Sequence, residues 1–344
     1  MDLDIKLRKG KAMKTVCIDN IIEQIRNCVN THKLGDGKYA RWLWQNAKGD
    51  RELGCNPYGC ADAANILYTI SQFPRGEDER RGFVDTLRSM QDETSGMFHE
   101  KTHHTIHTTA HCLAALELFD ASPLHPCTQL LPLKDKAALY DFLENEVNWL
   151  DPWPQSHKGA GLFVALTMTD AVDLEWKNDY FAWFWEHSDI ETGFFHHGAE
   201  RTKMPISHMM AGGFHYFFNH EAERRPYRYP EKVIDSCISF MRTPEKYGMI
   251  KCCTFIDIDV VFCLNRAMRQ TPYRFDEGKA ALEQYAEKYI EFMSNIDYAH
   301  DDSFNDLHML FGAVCCLAEL QMALPGKILT SKPLRLVLDR RPFI

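Results

Sequence analysis

Two kinds of helical segment alternate along this chain. The first, at 36–47, 79–90, 134–149, 172–187, 230–243 and 276–293, sets Lys, Arg, Asp and Glu on one side and Leu, Ile, Phe or Trp on the other, as expected of a helix with one face in water. The second, at about 59–70, 105–118, 158–169, 206–218, 256–269 and 305–322, is rich in Ala, Gly, Cys, Leu and Phe, with few charges beyond its first turns. It is therefore expected to be buried nearly all round. With Asp62, His111, Gly161, Ala211, Val260 and Met309 as marks in the second kind, successive marks lie 49, 50, 50, 49 and 49 residues apart. A fixed period of this size signals a repeat architecture, and about 50 residues hold two helices of roughly 11 to 12 residues with their loops.

The junctions repeat as well. Gln91 to Phe119 runs from a polar turn through a Gly and an aromatic into a buried helix, and Asp189, Thr192, Gly193 and Phe194 stand in a later copy for Asp92, Thr94, Gly96 and Phe98. An open row of six hairpins leaves buried helices exposed at its two ends; closing the row removes those ends. The expected fold is therefore all-α, an (α/α)6 toroid of six helical hairpins over 36–322, whose inner helices run in one direction and start at one mouth. Residues 15–29, with Ile18, Ile21, Ile22 and Ile25 on one face, form an extra helix before the ring. Residues 323–344 carry Pro325, Pro333 and Pro342 and read as a tail that packs on the ring or on a partner subunit.

Composition changes this picture little. With 344 residues, 45% of them hydrophobic, the chain can bury a sizeable core, and a repeat without an evident linker favours a single domain, 1–344. A net charge of −9 gives no basic field for nucleic acid. No apolar run reaches membrane-spanning length, and the polar first stretch does not read as a signal peptide. Many of the 12 cysteines sit inside helices, so reduced, buried thiols in the cytoplasm are the simplest account. The adjacent pair Cys252 and Cys253 is the one to test for reactivity or metal binding.

Candidate chemistry gathers at the starts of the buried helices. Asp62 opens the first. At the second, His99, Glu100, His103, His104, His107 and His111 fall within thirteen positions; His104, His107 and His111 share one helical stripe, but i to i+7 spans about 10.5 Å of rise, too far for one metal ion. Substrate hydrogen bonding by two of them is preferred. The third start brings Trp153, His157 and Lys158, with Gly159 and Gly161 permitting close helix approach, and Lys158 is a candidate for attracting a carboxylate or phosphate. The fourth brings Trp183, Phe194, Phe195, Arg201 and His208, with His215 read as deeper core. At the fifth, Asp257 and Asp259 lie in an otherwise apolar segment, where buried carboxylates need partners. The sixth gathers Asp306 and His308.

The order of outer helix, Gln or acidic turn, Gly-aromatic and inner helix resembles the α/α toroids of terpenoid cyclases and protein prenyltransferase β subunits, and also carbohydrate-active α/α toroids. LRSMQDETSGMF is the best local match to the Gln-Asp-Gly turn of the first group. The prenyltransferase resemblance implies a zinc site at Asp257, Asp259 and His308, but Asp259 stands where that family has Cys. The cyclase resemblance implies an Asp-x-Asp-Asp acid, and here Val260 follows Asp257-Ile258-Asp259. Histidines and carboxylates at one mouth suit a polyhydroxylated or anionic substrate better than a hydrophobic one.

The sequence thus points to a carbohydrate-active enzyme, a glycoside hydrolase with Asp257 as general acid and Asp306 or Glu100 as base or nucleophile. His107 and His208 assist proton transfer. Asp62, His104, His111, Trp153, His157, Lys158, Trp183, Phe194, Phe195, Arg201, Asp259 and His308 contact a small-molecule or oligosaccharide substrate. No metal or other cofactor is expected, and no nucleic-acid or membrane partner; the oligomeric state stays open. A uronate lyase, a terpenoid or prenyl enzyme and a non-catalytic scaffold are the alternatives.

Overall fold

The computed structural model describes residues 13–196, 203–250 and 253–341. They form β1 (Val16–Cys17), α1 (Asp19–Thr31), β2 (Lys33–Gly35), β3 (Lys38–Tyr39), α2 (Pro57–Thr69), α3 (Glu77–Ser89), α4 (Thr105–Glu117), α5 (Lys136–Asp141), α6 (Pro152–Met168) and α7 (Leu174–Glu186). There follow α8 (Ile206–Ala222), α9 (Pro230–Arg242), α10 (Phe255–Ala267), α11 (Phe275–Asn295), α12 (Asp302–Asn305), α13 (Leu307–Ala323), β4 (Ile328–Leu329) and α14 (Val337–Arg340). The described residues are all-α apart from two short strand pairs.

Six helices, α2, α4, α6, α8, α10 and α13, are the segments expected to be buried, and most of their residues are. Each packs against the next in that order, and α13 packs against α2, so the contacts close on themselves. The amphipathic helices lie against this set, α3 on α2 and α4, α9 on α10, and α11 on α10 and α13. Small residues set how close the buried helices come. A Cβ on Gly161 of α6 would lie 3.1 Å from the Ile106 carbonyl oxygen of α4, and one on Gly212 of α8 would lie 2.7 Å from the Pro152 carbonyl oxygen of α6.

The first outer segment, 36–47, is not a helix. Residues Lys33–Gly35 and Lys38–Tyr39 form an antiparallel hairpin around the Asp36–Gly37 turn, and Trp42 bridges to Leu53 and Asp306. Its main-chain donors are satisfied by tertiary partners instead of a helical ladder: the Leu43 and Trp44 amides donate to Asn305 Oδ1 at 2.7 and 3.0 Å. The expected extra helix, here α1, packs on α2 instead. Two other boundaries move. α6 starts at Pro152, a residue suited to the first turn, and α5 stops after six residues in a π turn at Phe142–Glu146.

The repeated turn has the same hydrogen bonds in both copies, with a shift of register against the sequence reading. Asp92 N donates to Met97 O and Gly96 N to Asp92 O, just as Asp189 N donates to Phe194 O and Gly193 N to Asp189 O. Ser95 and Met97 therefore match Thr192 and Phe194. Both glycines have positive φ, 72° and 81°, where a side chain would be strained.

The tail returns across the far ends of the buried helices. β4 pairs in parallel with β1, Arg335 N donates to Thr69 O at the end of α2 at 2.8 Å, and Arg340 pairs with Glu117 at the end of α4.

Candidate functional site

The starts of α4, α6, α10 and α13 meet at the end of the molecule opposite the tail. A cavity of about 340 Å3 lies there, walled by His103 and His107 at α4, Trp153, Pro154 and His157 at α6, His215 of α8, Phe255 of α10 and His308 of α13. Its described lining holds five imidazoles and no carboxylate. His107 and His157 have ring centroids 4.0 Å apart, and His157 and His215 4.9 Å. These separations follow from the close approach of α6 to α4 and α8 at Gly161 and Gly212.

Fixed polar groups stand behind this wall. Tyr58, fully buried on α2, stacks on His103 at 4.4 Å and pairs through its hydroxyl with His107 Nδ1. Asp62, one turn further along α2, accepts from His111 Nε2 at 2.8 Å and from His308 Nδ1 at 3.0 Å through one oxygen. Burial alone would raise the pKa of Asp62, but His308 and His111 outweigh it and hold the carboxylate ionised. Burial likewise keeps His111 neutral against the pull of Asp62.

A second network anchors the loop before α4. Arg41, 4% exposed, donates to both oxygens of Asp306 at 2.8 and 2.9 Å and lies 3.6 Å from Glu100. Glu100 also accepts from Thr102 N at 2.8 Å and His103 N at 3.1 Å. Against its burial, the hydrogen bond to His103 and the charge of Arg41 lower its pKa to about 2. Asp306 caps α13 by accepting from His308 N at 3.0 Å. Neither acid lines the cavity; both hold groups that do.

The remaining candidates scatter. Asp257 accepts from Tyr285 of α11, from Thr254 Oγ1 at 3.1 Å and from Ile250 N at 3.3 Å, and burial raises its pKa to about 6. It faces an outer helix. Asp259 is fully buried and neither oxygen has a hydrogen-bond partner among the described residues. His104 caps α4 by accepting from Ile106 N at 3.2 Å, and Lys158 donates to Glu146 O at 3.2 Å. Trp183 stacks on Trp149 and His187, while Phe194 and Phe195 pack on Phe217. His208 sits edge-on to Trp153 at 5.7 Å. Arg201 and Cys252 lie outside the described residues.

The structure thus gathers His107, Trp153, His157 and His308 at the cavity, with Asp62, His111, Glu100 and Asp306 behind. Sequence reasoning missed Arg41, Tyr58 and Phe255, and placed His215 in the core although it lines the cavity. His215 carried a usable signal, as a polar residue in a helix that is otherwise apolar at that depth. Arg41 carried none once its segment was read as helix.

No protein family, no curated relative and no solved structure matches this chain. The site must be interpreted from its own geometry.

Proposed function

We propose that this protein is an (α/α)6 toroid enzyme whose active site is the histidine-lined cavity, and that it hydrolyses a carbohydrate or a similarly hydroxyl-rich small molecule. The cyclic packing order of the six buried helices supports the toroid. The cavity carries the functional reading: polar imidazoles on several walls, with the half-buried Trp153 and Phe255 offering apolar faces for a sugar ring. A pocket lined mainly by Phe, Trp and Leu would have favoured a terpenoid substrate. Its volume, about 340 Å3, is at the low end of the usual ~300–1,000 Å3 for ligand sites and suits a small sugar or one chain end.

Hydrolysis needs one group to protonate the leaving oxygen and another to activate water. With carboxylates behind the wall, both roles fall to imidazoles. His308 is the best placed, since it lines the cavity and the Asp62 carboxylate holds its Nδ1, which orients the ring. We place the protein in the cytoplasm, where buried free thiols such as Cys112, Cys263 and Cys316 stay reduced, without a nucleic-acid or membrane partner. No helix among the described residues is long and apolar enough to cross a membrane.

The test is a panel of neutral and uronic-acid oligosaccharides followed by product mass. Addition of water is expected, with turnover lost in His308→Ala. An unsaturated product without added water would replace hydrolysis by elimination. Absence of turnover and of saturable binding, together with binding of a prenyl diphosphate, would overturn the carbohydrate reading.

A further inference from the structure

We propose that His107, His157 and His215 form a binding site for one divalent transition-metal ion of the zinc class in the wall of this cavity. The three side chains come from three successive buried helices, and each offers a nitrogen within 4.8 Å of the other two. A tetrahedral ion with nitrogens at about 2.0–2.1 Å holds them roughly 3.3 Å apart. The remaining closure, at most about 1.5 Å per pair, is within reach of ring rotation and needs no movement of α4, α6 or α8.

Two of the rings are braced from behind as metal ligands are. His215 Nδ1 donates to Ala211 O at 3.0 Å, and His107 Nδ1 pairs with the Tyr58 hydroxyl. In each ring Nε2 is then the nitrogen that would coordinate. A set of three nitrogens without a carboxylate selects against Mg2+ and Ca2+ and for Zn2+ and its neighbours. Three protein ligands leave a fourth position toward the cavity, the arrangement of a zinc ion that meets a substrate and not of one that only holds the fold.

Among the described residues, two other groups of metal-ligating side chains come together, and they differ in kind. In Asp62, His111 and His308 the contacts are 2.8 and 3.0 Å to one oxygen, which are hydrogen-bond lengths that place protons where an ion would sit. In Glu144, His187 and His196 the contacts are 3.5 and 3.6 Å at a partly exposed place between the π turn after α5 and the segment that follows α7. That group is the natural control.

The experiment uses the full chain purified without chelator, elemental analysis, and calorimetric titration of Zn2+ into protein stripped with a chelator. One zinc per chain is expected. His157→Ala, at the half-buried position most tolerant of change, abolishes stoichiometric binding while circular dichroism stays unchanged. Tyr58→Phe weakens binding about 10-fold, as loss of a supporting partner does, and His187→Ala leaves it intact. No stoichiometric Zn2+ uptake by the wild type, or uptake that survives His157→Ala and His107→Ala, would overturn the proposal. Zinc is titrated with no glycan present, so this outcome is independent of the substrate screen.

Discussion

At the residue scale, the acids of this chain divide by what surrounds them. Among the described residues Asp259 has no hydrogen bond for either oxygen, and burial, with the neighbouring charge of Asp257, pushes its pKa well up. The folded state therefore keeps a proton that the unfolded chain releases near pH 4, and stability falls as pH rises from there toward the folded pKa. Asp259→Leu is expected to raise stability at pH 7 by about 1–3 kcal/mol, the cost of a buried unsatisfied polar group, with a gain that shrinks on acidification toward pH 4. Urea unfolding at pH 7 and pH 4 checks this; an equal or lower midpoint for the variant at pH 7 would count against it. Glu100 is the opposite case. Its pKa is lowered from 4.5 to about 2, so its contribution is present above pH 4.5 and lost as pH falls toward 2. Glu100→Gln is expected to unfold at lower urea than wild type at pH 7, with the gap closing between about pH 4.5 and 2; a gap independent of pH would show that the ion pairing is not what stabilises. Apolar flanks marked Asp257 and Asp259 in the sequence, but flanks do not say which way a side chain points. Asp257 turns to Tyr285, and the cavity takes the histidines instead.

At the element scale, the six buried helices were legible because their low charge and their period agree. The glycines of α6 were legible too, as places of close approach. The first outer helix was misread: Trp42 and Trp44, two positions apart, cannot share one face of a helix, and only the partners Leu53, Asn305 and Asp306 decide that the stretch forms bridges instead. The packing of α6 carries a prediction. A side chain at Gly161 starts 3.1 Å from backbone of α4, so Gly161→Leu forces the two helices apart. A loss of about 1–3 kcal/mol is expected, the usual cost of overpacking, and the same displacement separates His107 from His157. Denaturant unfolding gives the first quantity, and a weakened Zn2+ titration in the folded variant gives the second. A variant as stable as wild type would mean that α4 and α6 have slack at this crossing.

At the scale of the whole molecule, the two ends of the helix set are used differently. One end holds the cavity, and the tail covers the other, a division that the sequence left open because prolines mark where a helix stops but not where the chain goes next. The tail seals that end with apolar and ionic contacts. Val337 and Leu338 are 1% and 3% exposed, and Asp339 pairs with Arg266, itself 2% exposed in its side chain and held on its other side by Glu319. Ending the chain at Gly326 removes all of these at once. Loss of the two apolar side chains alone costs about 3–6 kcal/mol at roughly 1.5–3 each, and Arg266 also loses its pairing with the exposed Asp339. The truncated chain is therefore expected to unfold at much lower urea than the full chain or not to fold at all. Asp339→Ala, whose side chain is 42% exposed, is expected to have only a small effect, whereas Glu319→Ala, on the buried side of Arg266, costs about 3–5 kcal/mol. The ordering of the three variants is the test. A truncated chain with the unfolding midpoint of the full chain would show that the tail rests on the helix ends without stabilising them.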